Sequence, residues 1–290
     1  MSLRSDKRKL KLEEQGEASM EDEDLSHVNQ PIPVDSKFLD AFKIERMLRK
    51  AETILQLRTD RFLLVLERPL MTDNYLGCLR TAECLGIQNV WVVVPQRQHH
   101  KSQAPPPPPP GSKQELRDYR RRVRLSRNSS QWLDVKEFCT SSECIEEMKR
   151  EGWTVWATDL SESSVSLTEM TCSEVPLKLA MVMGREADGV TEEILAVAEK
   201  RVHLPLAGFN TSLNLQVATG MVLHQLFSIC PNARGDMSEE RRVCVRRSWY
   251  SNLAKSEAQR EILLSHLDKP PPPYDSMHHI PPSSSMQDPS

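Results

Sequence analysis

Glycine is scarce in this sequence, with 10 in 290 residues, and aromatics make up only 5%. No Gly-x-Gly opens a dinucleotide-binding turn, and no Gly-Lys-Ser/Thr closes a phosphate loop. No run approaches the ~18 consecutive apolar residues of a spanning helix. The first 25 residues also lack the apolar stretch of a secretory signal, so no membrane association is expected. The seven cysteines are odd in number and lack metal-ligand spacing. The nearest pairs are Cys78/Cys84 and Cys139/Cys144, and free thiols in a reducing compartment are the simplest reading. A metal-free, cytoplasmic protein is the expectation, although Lys7-Arg8-Lys9-Leu10-Lys11 has the form of a short nuclear signal. Apolar residues make up 38%, which is low for a chain that folds throughout.

Charge and proline are present in quantity, and both are segregated. Residues 96–127 hold 9 basic and 2 acidic residues, whereas residues 128–233 hold 7 basic and 15 acidic. Residues 37–61 (7 basic, 4 acidic) and 234–269 (8 basic, 6 acidic) are again basic. An acidic centre between basic segments suits a polyanion held by the edges of a domain. Taken alone, such runs are more often solvated surface. Six consecutive prolines, Pro105 to Pro110, make a stiff polyproline stretch inside the 96–127 insertion. Residues 1–36 are polar and aperiodic and read as a disordered tail, as does the Pro/Ser-rich stretch 269–290.

Between the tails, helical and strand patterns alternate. A helix is expected over 37–60. Buried strands are expected at Arg61–Glu67, Asn89–Pro95, Trp153–Ala157 and Lys178–Met183, with a short strand end at Val202–Pro205. Helices are expected at Asn74–Gly86, Ser142–Glu151, Glu192–Lys200 and Leu213–Cys230. A further helical extension fills 233–268, broken near Trp249. The alternation predicts an α/β domain over 61–232 with a mainly parallel sheet.

Three loops at strand ends stand out, where open parallel sheets bind ligands. The first carries Asn74 and Arg80; a lone arginine on an apolar helix reads by itself as a structural ion pair or a snorkelling side chain. The second is Gly184-Arg185-Glu186-Ala187-Asp188-Gly189. The third runs from Leu204-Pro205 through Gly208 to Ser212-Leu213-Asn214, and by itself reads as a capped helix start.

Taken together and in this order, Asn74-x5-Arg80-Thr-Ala, Gly184-x-Glu186-x-x-Gly189 and Pro205-x-x-Gly208-x-x-x-Ser212-Leu-Asn214 resemble the three motifs of the SpoU branch of the SPOUT RNA 2′-O-methyltransferases. The likeness is to the TrmH type and runs from about Arg46 to Lys255. It implies a SPOUT α/β knot, a homodimer with active sites near the subunit interface, and S-adenosyl-L-methionine held by mostly backbone contacts near Thr158, Gly184, Leu204 and Leu213. It implies transfer of a methyl group to a ribose 2′-hydroxyl, on the D-loop guanosine at position 18 of tRNA. Arg80 would be the base or the group that orients the hydroxyl through a phosphate. Asn74 would support it, Ser212 and Asn214 would orient donor and ribose, and Glu186 would hold the second loop. RNA contacts are expected from Arg46, Arg49 and Arg58 on the first helix and from Arg120, Arg121 and Arg122 in the insertion. Trp132 reads as core packing.

The sequence departs from that pattern in several places. Met71-Thr72-Asp73 replaces the usual Pro-His or Pro-Thr before Asn74, Gly77-Cys78 precedes the arginine helix turn, and Phe209-Asn210-Thr211 precedes Ser212. Ribosomal RNA as substrate, and an RNA-binding protein without catalysis, are the alternatives. An NAD enzyme is disfavoured by the missing glycine turn.

Overall fold

The computed structural model describes residues 36–69, 72–94, 129–185, 188–210 and 212–275. The N-terminal tail, the insertion and the last residues from 276 lie outside them. The contacts divide the chain after Ala41. The first helix, α1 (Ser36–Leu55), begins in the first unit, and every other element lies in the second.

The strands are β1 (Thr59–Glu67), β2 (Ile87–Val93), β3 (Asp134–Phe138), β4 (Thr154–Thr158), β5 (Val165–Ser166), β6 (Leu179–Met183) and β7 (Lys200–His203). They form one sheet in the order β3-β2-β1-β6-β4-β7-β5, and every pairing is parallel. Parallel strands buried on both faces need near-continuous apolar runs, which is why Phe62 to Leu66 and Leu179 to Met183 fill the centre. Successive side chains point to opposite faces. Phe62, Leu64 and Leu66 enter one core, and Leu63 and Val65 enter the other.

The first core packs under α2 (Thr72–Leu85) and α5 (Leu215–Ile229), where Phe227 meets Phe62 edge to face at 5.3 Å. The two helices cross on small residues. A Cβ on Gly77 would lie 2.2 Å from the Gln216 Oε1, and buried Cys78 touches Thr219 at 3.5 Å. Gly77-Cys78 thus sits at the crossing itself. The second core lies under α3 (Ser141–Arg150) and the short α4 (Glu192–Leu195). A third core joins α1, α6 (Glu239–Leu253) and α7 (Glu257–Leu264) through Leu48, Leu55, Trp249 and Tyr250.

Several boundaries differ from expectation. The helix expected over 192–200 stops at Leu195, because the Glu199 N–H turns to the Val155 carbonyl (2.8 Å) and Lys200 joins the sheet. The break expected near Trp249 falls at 254–256 instead, where Ser256 caps α7; Trp249 is a packed mid-helix residue. The edge strand β3 and the two-residue β5 were not foreseen. The beginning of the tail is also ordered. The Arg49 Nε donates to the Pro272 carbonyl at 3.0 Å, and the Tyr274 N–H donates to the Thr53 Oγ1 at 2.8 Å.

Candidate active site

Four loops leave the carboxyl ends of β1, β4, β6 and β7, and the last three of these enclose one cleft of about 560 Å³. Its walls include Thr158, Gly184, Leu204, Ser212 and Leu213. All four residues expected to hold the methyl donor therefore share one concavity, and Ser212 joins them. The volume lies in the range of small-ligand sites.

The β6 loop is tightly built. Arg185 and Gly189 exchange backbone hydrogen bonds, both 3.0 Å. A Cβ on Gly184 would lie 2.1 Å from the carbonyl carbon of Gly189, so only glycine fits there. Gly189 itself has φ +69°, the left-handed region that glycine enters without strain. Arg185 pairs with Asp188 across the turn. Buried Glu67, at the end of β1, anchors the far end of this loop. It accepts from the Thr191 N–H (2.8 Å), the Thr191 hydroxyl (2.5 Å) and the Ser141 hydroxyl (2.5 Å). A buried carboxylate needs such partners, and these tie β1 to the starts of α3 and α4.

The third loop ends in a cap. The Asn214 Oδ1 accepts from the Gln216 N–H at 2.9 Å and starts α5. Its Nδ2 donates to the Asn74 Oδ1 at 3.0 Å. Two residues 140 positions apart, both expected in catalysis, thus form one amide pair at the foot of α2 and α5.

Arg80 stands apart. Six residues beyond Asn74, it lies roughly 9 Å further along α2 and about 120° around it. It is exposed and does not line the cleft. Glu186, Arg120, Arg121 and Arg122 lie outside the described residues. Arg46 and Arg49 are partly buried on α1, and the Arg49 guanidinium lies 4.3 Å from the centre of the Tyr274 ring. Arg58 is a correction. It has no exposed surface, pairs with Glu83 at 2.8 Å and donates to the Ile87 carbonyl at 2.6 Å. Burial pulls its pKa below the ordinary arginine value, against the attraction of Glu83. It is a structural cation, not a surface phosphate contact.

The cleft also contains residues the sequence reading passed over: Asp159, Asp188, Glu192 and His203. The His203 Nδ1 lies 2.8 Å from the Ser164 hydroxyl. Burial works against ionisation of Asp159, but hydrogen bonds from Ser161 and Leu160 and the charge of Arg201 prevail and lower its pKa. Each adjoins or closely follows a singled-out residue: Asp159 follows Thr158, and His203 precedes Leu204. Adjacency was the only signal available.

The model of the SpoU rRNA Methylase family matches residues 111–224. The tRNA (guanosine(18)-2'-O)-methyltransferase of Borreliella burgdorferi is 26% identical over 236 residues, covering 81% of this chain and 96% of that protein. The protein of the same name from Escherichia coli K12 is 27% identical over 152 residues, and the match spans 52% of this chain and only 56% of that protein. The TrmH/SpoU tRNA modifying enzyme of A. aeolicus superposes with a TM-score of 0.56 at 21% identity, over 75% of this chain and all of that one, which bears on the fold alone. The chain is thus similar, over residues 111–224, to the SpoU rRNA Methylase family.

Proposed function

We propose that this protein transfers a methyl group from S-adenosylmethionine to the 2′-hydroxyl of the D-loop guanosine at position 18 of tRNA. The observation that carries the reading is the single cleft lined by Thr158, Gly184, Leu204, Ser212 and Leu213, with the Asn74–Asn214 pair beside it. The names of the relatives support the substrate. The residues present fit the donor. Leucines and backbone suit an adenosyl group, and the Glu192 carboxylate offsets a cationic part of the donor.

Bound there, S-adenosylmethionine supplies an electrophilic methyl and its own leaving group. The protein's task is to present the hydroxyl in line and to accommodate its proton. Asn74 and Asn214 hold each other's amides, so the ribose meets a fixed donor and acceptor set. Arg80 anchors the neighbouring phosphate and draws the hydroxyl proton outward. A guanidinium gives up its proton reluctantly, so Arg80 is an orienting group first and a base only with that phosphate beside it.

A homodimer belongs to the same reading. The face of α5 nearest Asn214 leaves Val217 (49%) and Met221 (44%) exposed. A second copy on that face covers them and brings its α2, with Arg80, toward the cleft that lacks one. The trefoil knot implied by the family resemblance is likewise part of this proposal, with the 204–214 loop as the segment passed through.

The test is Arg80→Ala. Methyl transfer to total tRNA falls at least about a hundredfold, while calorimetry still records donor binding. Normal turnover in that variant refutes the assignment.

A further inference from the structure

A second cavity lies away from the loop cleft and is larger, about 730 Å³ against about 560 Å³. It sits between α1, the end of α2, the turn Ser129–Trp132 and α6. None of its walls belongs to the three motif loops.

Its chemistry is uneven in an informative way. Trp132 is half-buried; its ring centre lies 5.8 Å from that of Trp249 in a T-shaped pair, and it also lines the cavity. The floor holds Arg58, whose Nη atoms are both engaged while its Nε has no hydrogen-bond partner among the described residues. A fully buried donor left unmet is costly and rare. Beside it stands the Glu83 carboxylate, a fixed acceptor. Buried Ser129 adds a hydroxyl. The mouth carries two exposed cations, Lys50 and Arg234.

We infer that this cavity receives one unpaired nucleotide of the RNA, at a site distinct from the methylated ribose. The inference rests on the RNA methyltransferase reading and extends it. An aromatic platform takes a base by stacking. The partly exposed Glu83 carboxylate accepts from a base edge that carries N–H donors, and guanine has that edge. Cations at the mouth meet the phosphate.

The full-length protein is titrated with 5′-GMP and with a short single-stranded, guanine-containing oligoribonucleotide, and tryptophan fluorescence is followed. Saturable quenching is expected with both. Trp132→Ala weakens it about ten- to hundredfold, the scale of one lost base stack. Lys50→Glu, at an exposed helix position that leaves the fold intact, weakens it several-fold and flattens the salt dependence. Absence of saturable quenching, or equal affinity in Lys50→Glu, overturns the inference. Binding of GMP without binding of the oligonucleotide overturns the RNA assignment. Methyl transfer to tRNA is scored separately: its absence with intact quenching strikes the proposed function and leaves this site standing.

Discussion

Gly184 shows most directly how one residue type is fixed by geometry. A methyl there would be 2.1 Å from backbone, so Gly184→Ala must displace the β6 loop. We expect a stability loss of about 1–3 kcal/mol and a larger loss of donor binding, read by thermal melts and calorimetry. Asn214→Ala removes a helix cap and its bond to Asn74 and costs roughly 1 kcal/mol. Asp159 gives a pH signature. Its folded pKa lies below the ordinary 3.8, so its contribution is present above the unfolded value and is lost as pH falls through the folded one. Asp159→Asn therefore flattens the acid limb of the stability–pH curve; an unchanged limb contradicts this. At this scale Thr158, Gly184, Leu204, Ser212 and Leu213, singled out from the resemblance, meet in one cleft, whereas Arg80 lies outside it. Arg58 was misread because a basic residue on a basic segment looks solvated; its burial depends on Glu83 and Trp249, which are remote in sequence.

Among the elements, the clamp between α1 and α6 is the clearest case. The Arg246 Nε and Nη2 donate to both oxygens of Glu52, at 2.8 and 3.0 Å, and the Tyr250 hydroxyl joins at 2.8 Å. All three are buried. Arg246→Ala leaves the Glu52 carboxylate buried with one partner fewer and is expected to cost about 3–5 kcal/mol. The double variant Arg246→Met, Glu52→Leu recovers most of that in a denaturant titration. The apolar strands β1 and β6 were legible because a strand buried on both faces has no choice of composition. The ends of α4 and α6 were not. The Glu199 N–H is taken by a carbonyl of β4, and the Ser256 cap competes with helix continuation, and both depend on three-dimensional neighbours. The edge strand β3, Asp-Val-Lys-Glu-Phe, is too polar to announce itself; it pairs with β2 and buries only Phe138.

At the level of the molecule, a parallel sheet carries one loop cleft at its carboxyl end and leaves an apolar face exposed on α5. Lysine at both Val217 and Met221 should convert a dimer to a monomer in sedimentation and abolish methyl transfer with the fold preserved; a variant still dimeric and active contradicts the proposed interface. The α/β class followed from alternation alone, whereas the strand order, which sets β6 between β1 and β4, is a property of the chain path that no local pattern encodes. The central claim is tested most directly by incubating the protein with labelled S-adenosylmethionine and total tRNA and mapping 2′-O-methylation by nuclease protection. A single methylated D-loop guanosine is the predicted result. Methylation of ribosomal RNA with none in tRNA, or none in either by folded, donor-binding protein, would contradict it.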